Sequence, residues 1–216
     1  MVEERIIDGY VGPQKKSDGV ITPIRTGMTG ELVTGNAHGF YTEIASRGGI
    51  YMASTSTSGV APGTALNTTP PFALWNPPGS GVMINILRIS IGYISGTLGA
   101  GSIMYAYVPG QVAAPTSGTK LSPTNNKIGT NANCMAGAYQ GSTMVATPTL
   151  LKPAFITGAF AGGANNIGSM IDPIDGMISI PPGYAFVVQG VAGAGTSPLV
   201  QIAAEWEETP IPTAPA

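Results

Sequence analysis

Charge is what this chain has least of. Asp, Glu, Lys and Arg make up 9% of its 216 residues, against about a quarter in an ordinary soluble domain. Between Glu43 and Asp172 no acidic residue occurs, and the basic ones there are Arg47, Arg88, Lys120, Lys127 and Lys152. Lys and Arg do not cluster, which excludes nucleic acid as a partner held by a basic face. Histidine and cysteine occur once each, as His38 and Cys134. A single thiol forms no internal disulfide, so the fold does not rely on an oxidising compartment. One His with one Cys also excludes the usual zinc sets within a chain. The longest apolar run, "GVMINILRISIGYI", is interrupted by Asn85, Arg88 and Ser90 and is too short to span a bilayer, so no membrane partner is expected. The opening "MVEERIIDGY" carries acids where a secretory signal needs basic and then apolar residues, and the expectation is synthesis and folding in a cytoplasm.

Catalytic constellations are missing too. There is no G-x-S-x-G, and His38 sits among glycines in "GNAHGFYTE" with no nucleophile or acid at a telling distance. Glycoside hydrolysis needs paired carboxylates. Beyond Glu43 the chain offers Asp172, Asp175, Glu205, Glu207 and Glu208. "DPIDG" reads as a turn, with Asp and Pro opening it and Gly closing it. A weak calcium site built from Asp172, Asp175 and carbonyls stays open, although the D-x-D-x-D-G spacing is lacking. No glycine-rich stretch leads through Lys-Ser/Thr into a helix, so no phosphate loop is present. The sequence predicts a protein that is not an enzyme and has no cofactor or resident metal.

What is present is a period of two. In "PPGYAFVVQG", Tyr184, Phe186 and Val188 alternate with Ala185, Val187 and Gln189. In "SPLVQIAAEWEE", Val200, Ile202, Ala204 and Trp206 share one face, which makes Trp206 a core residue. Similar runs at "GIYMASTST", "FALWN", "GVMINILRIS", "SIMYAYV", "GSTMVATPT", "KPAFITGAF" and "GMISI" give eight to ten short strands. "PPGSG", "DPIDG", "IPPG" and "NNIG" separate them. No segment has helical periodicity. The predicted fold is all-β, an antiparallel β-sandwich of the jelly-roll kind. "GTLGAGS" (96–102) and "GVAGAGT" (190–196) echo one another as hairpin connections. The echo fits either equivalent places in two halves of a jelly roll or chance recurrence in a glycine-rich chain.

Composition divides the chain into three. Residues 1–47 hold eleven of the twenty charged side chains between frequent glycines and prolines, and read as an extended N-terminal arm. Residues 48–208 form the β-sandwich body, and 209–216 a proline-rich tail. The body's strands are apolar or small on both faces, as expected when one face meets the core and the other a neighbour. A homo-oligomer follows, with the arm as a tether carrying Arg5, Lys15, Lys16, Arg25, His38, Tyr41 and Arg47 to a neighbouring subunit.

"NAHGFYTEIASRGGIYMAS", "GVAPGTALNTTPPFALWNPPGSGV" and "PPGYAFVVQGVAGAGTSPLVQIAAEWEE" resemble a group of tailed-bacteriophage virion proteins, the capsid cement or decoration components, over residues 30–208. The resemblance implies a jelly-roll body and a trimer. It also implies an arm gripping the major capsid protein, a place on the capsid surface, and synthesis in the host cytoplasm. The rival expectation is a tail-associated or receptor-binding sandwich of the same particle.

Overall fold

The alternation becomes strands wherever one face can be buried. The computed structural model describes residues 9–10, 24–25, 39–157, 169–192 and 195–211. The chain divides into two compact units, Met1–Glu43 and Ile44–Ala216. In the first, β1 (Gly9–Tyr10) pairs in parallel with β2 (Ile24–Arg25). A single helical turn, α1 (Thr42–Ser46), ends where Gly48, at φ 75°, donates its N–H to the Ala45 carbonyl at 3.0 Å.

Eleven strands follow. They are β3 (Ile50–Ser54), β4 (Phe72–Asn76), β5 (Val82–Ser95), β6 (Gly101–Val108), β7 (Thr119–Leu121) and β8 (Thr124–Asn125). After them come β9 (Gly137–Gln140), β10 (Thr149–Thr157), β11 (Ser169–Ile180), β12 (Tyr184–Val191) and β13 (Leu199–Pro210). Three of these, β7 to β9, are short. The other eight pair as one long folded-over hairpin: β3 with β13, β4 with β12, β5 with β11, and β6 with β10, all antiparallel. Wrapped on itself, that hairpin gives two sheets, ordered β11-β5-β13-β3-β8 and β10-β6-β12-β4-β9-β7. This nesting is the jelly roll. The core between the sheets holds Ile84, Ile86, Ile89 and Ile91 of β5, Phe186 and Val188 of β12, and Val200, Ile202 and Trp206 of β13. Trp206 is wholly buried, its ring centroid 6.2 Å from that of Tyr51.

Several sequence readings are corrected. "DPIDG" is not a turn between elements: it lies inside β11. Pro173 pairs with Arg88 and Ile178 with Ile86, so residues 174–177 bulge out opposite Leu87. Asp175 and Gly176 take positive φ there, 50° and 82°, which is why the segment imitates a turn. "GSTMVATPT" contributes only an isolated bridge, Thr143 to Thr116, before β10 begins. β13 carries its pairing through Thr209 and Pro210, opposite Met83 and Val82. "NNIG" lies outside the described residues.

The two glycine echoes join β5 to β6 and β12 to β13. Each pair of strands lies in different sheets, so the echoes are sheet-to-sheet crossings rather than hairpin loops. They also clasp one another. Thr97 N–H donates to the Thr196 carbonyl at 3.1 Å, and Thr196 N–H donates to Thr97 Oγ1 at 2.8 Å. A methyl group at Gly96 would collide with the Ser197 carbonyl, whereas one at Gly110 would meet open space. Both glycines have positive φ, 86° and 66°. Gly110→Ala should therefore cost about 1–2 kcal/mol from its backbone alone, and Gly96→Ala clearly more. Urea unfolding of the two variants checks the order.

Candidate interaction surface

The outer faces of the two sheets are treated differently. On the six-stranded sheet, Ala73, Ala106, Val108, Ala185 and Val187 turn outward yet are buried beneath Leu66, Met144 and Ala146. Those covering residues come from the connections 55–71 and 141–148. Gln111, only 1% exposed, ties the cover down. Its backbone carbonyl accepts from Trp75 Nε1 at 2.7 Å, its Oε1 accepts from Val145 N–H at 3.0 Å, and its Nε2 donates to the Ala113 carbonyl at 2.7 Å. Strands apolar on both faces were read as meeting a neighbour. Here the chain itself supplies much of the second cover, because its insertions fold back over the sheet.

The five-stranded sheet has a more open outer face of small and polar residues in rows. One row runs Ser54, Ala203, Ser90, Ile171, and the next Thr124, Met52, Glu205, Arg88, Pro173. Arg88 and Glu205 form a 3.9 Å ion pair in that second row. Asn85 donates to Thr209 Oγ1 at 3.0 Å and to Glu207 at 3.3 Å, and accepts from the Ser179 hydroxyl at 2.6 Å.

The edge strands β10 and β11 form one open rim of the sandwich. Lys152 faces inward from β10 and lies 3.5 Å from Asp172, which faces inward from β11, so an ion pair bridges the two sheets. Both side chains are partly solvated, which limits the pair to about 0.2–1 kcal/mol. Asp172, left open as a calcium ligand, is engaged with this ammonium. Beneath the pair lies Tyr105, with Lys152 Nζ 5.5 Å from its ring centroid. The Tyr105 hydroxyl is buried and makes no hydrogen bond of good geometry. Burial first, then the charge and acceptor oxygen of Asp172, hold its pKa well above the ordinary 10.0. Around the rim, Leu150, Leu151, Ile156, Ile171 and Met177 are exposed, Ile156 to 87%.

Glu208, read only as one of three terminal acids, anchors the connection from β8 to β9. Its carboxylate accepts from Met135 N–H at 2.8 Å, Ala136 N–H at 2.9 Å and Trp206 Nε1 at 3.3 Å. Cys134 is half-buried beside it. Burial, and next the Glu208 charge, push its thiol up to about 11, so at neutral pH it is a poor nucleophile. Among the described residues no three His, Cys, Asp or Glu side chains group as metal ligands.

Of the proposed arm residues, Arg5, Lys15, Lys16 and His38 lie outside the described residues, and only the backbone of Arg25 is described, in β2. Tyr41 is half-buried, its ring edge-on to Phe40 at 4.9 Å between centroids. Arg47 is exposed just after α1. Among the described residues no helix is long and apolar enough to cross a membrane.

No protein-family model matches the chain, and no curated protein matches it in sequence. Among solved structures it is similar to a chain in the tripod (BppUct-A-L) from the baseplate of bacteriophage Tuc2009. The identity is 11% over 91% of this chain and 83% of that one, with a TM-score of 0.26. At that score the jelly roll rests on its own strand pairings.

Raised pKa values are linked to stability. Tyr105 stays neutral in the folded chain while its unfolded counterpart ionises near pH 10, so its share of stability is present below about pH 10 and is lost as pH rises beyond it. Tyr105→Phe removes both the buried hydroxyl and this titration. Its stability at pH 7 should match or exceed wild type, and its fall between about pH 9 and 11 should be shallower. Urea unfolding across that range is the check.

Proposed function

We propose that the protein is a non-enzymatic structural component of a tailed-phage virion that works by burying surface against its neighbours. The observation that carries the proposal is the apolar, exposed rim on a body that has already covered one sheet with its own loops. A monomer gains nothing by displaying such a rim, whereas a particle component uses it. The sequence resemblance supplies the kind of particle, and its finer form is capsid cement. In that form a homotrimer on the capsid surface holds the major capsid protein, with the arm as its grip.

A tail-associated or receptor-binding role is the second reading. It is favoured by the hydroxyl-rich loops at the end of the sandwich where the echoes clasp. Ser56, Thr57, Ser58 and Thr97 are exposed there without any charge among them, a surface suited to neutral polar ligands.

Copy number separates the two readings. Quantitative mass spectrometry of purified particles should find hundreds of copies for cement and a few for a tail part, and absence from the particle contradicts both. Under the cement reading, a chain starting near Ala37 should keep its stability but lose decoration. Decoration by the full chain should weaken as salt rises, because residues 1–47 hold eleven of the twenty charged side chains.

A further inference from the structure

The bulge in β11 is where that strand's backbone is released from its partner. Pairing with β5 stops at Pro173, opposite Arg88, and resumes at Ile178, opposite Ile86. Ile174, Asp175, Gly176 and Met177 therefore stand against Leu87 alone. Ile174 is buried in the core and pins one end, while Met177 at the other end is 77% exposed. Between them, the exposed Asp175 takes φ 50° and Gly176 takes φ 82°. Residues with a Cβ seldom adopt such a φ, so holding Asp175 there stores strain in the backbone.

Aspartate followed by glycine is a reactive pair. The aspartate carboxyl carbon lies one ring closure away from the amide nitrogen of the next residue. That closure is slow where the nitrogen is locked in a strand ladder or shielded by its own side chain. Neither holds at Gly176. It lies in the unpaired stretch, and a methyl group built on it would find no atom within 4 Å. Other positions lack one of these conditions. Asp172 precedes Pro173, which has no N–H, and its carboxylate meets Lys152 at 3.5 Å. Asn76 precedes Pro77, and Asn85 precedes the β-branched Ile86 in a paired part of β5.

We infer that Asp175-Gly176 is a site of spontaneous backbone modification, at which the chain rearranges through a succinimide to isoaspartate. The Gly176 nitrogen attacks Asp175 Cγ in its carboxylic acid form. A nitrogen–carbon bond forms, a carbon–oxygen bond of the carboxyl breaks, and the amide proton leaves with that hydroxyl as water. Solvent water then opens the five-membered ring. Opening at the α-carbonyl leaves the chain running through Cγ, with one more methylene in the backbone and the carboxylate directly on Cα. No oxidant, metal or second protein takes part. The added length falls where the register already holds unpaired residues, so β11 keeps its pairing on both sides. The change accumulates, so its extent records the age of the chain. This inference goes beyond the virion role and does not depend on it.

Ageing the purified full chain in neutral buffer tests the site. An endoprotease that cuts before aspartate but not before isoaspartate should divide fresh protein at both Asp172 and Asp175. Aged protein should give several times more of a 172–216 fragment, cut before Asp172 and uncut before position 175, with its far-ultraviolet spectrum unchanged. An isoaspartyl methyltransferase should methylate that fragment. Asp8-Gly9 and Asp18-Gly19 fall in other fragments and do not obscure it. Asp175→Glu, whose ring would need six members, should lose the methylation of residues 172–216. Asp175→Asn keeps a side chain suited to the left-handed conformation, and should close its ring faster than wild type, with ammonia leaving in place of water. An aged wild type still cut fully before Asp175, methylation that persists in Asp175→Glu, or an Asp175→Asn chain whose amide stays intact would each overturn the site.

Discussion

Everything in the body depends on the last strand coming home. β13 lies between β5 and β3, so the C-terminal strand completes a sheet that the first strand of the body cannot complete alone. Its inward residues, Val200, Ile202, Ala204 and Trp206, fill the centre of the core. Its outward Glu205 and Glu207 and its terminal Glu208 hold Arg88, Asn85 and the connection before β9. Nested pairings of this kind join residues far apart in sequence, and folding waits on closing those long loops.

That closure explains how a chain so poor in charge forms an ordered body. One sheet is sealed twice, by the core on its inner face and by connections 55–71 and 141–148 on its outer face. A run such as "FALWN" is buried on both sides for this reason. The other sheet turns mixed rows outward, Ser54, Ala203 and Ser90 beside Thr124, Met52, Glu205 and Arg88, stitched by one ion pair and an asparagine network. At the rim Leu150, Leu151, Ile156, Ile171 and Met177 stay exposed, and there the two sheets are joined by a lysine and an aspartate instead of by backbone.

Much of this was legible in the sequence, and the limits have physical causes. Alternation placed most long strands and put Trp206 in the core, because a strand's side-chain period is local information. The glycine echo marked two equivalent places but reads as hairpins, although both cross between sheets, and close approach of two backbones demands glycine at Gly96. "DPIDG" misled because its local chemistry is that of a turn, while pairing with β5 on both sides keeps it in the strand. The second cover was invisible for a related reason: a face buried under a subunit and a face buried under the chain's own loop look alike in composition. Glu208 gave no signal, as its value lies in two backbone amides more than seventy residues away in sequence. Most of the arm's charged residues lie outside the described residues.

A chain this poor in charge hides the outer face of one sheet beneath its own connections. An electron cryomicroscopy map of the full-length protein tests this most directly. Connections 55–71 and 141–148 should cover β4, β6 and β12 of their own chain. Connections exchanged between copies, or β4 and β12 open to solvent on that face, would contradict it.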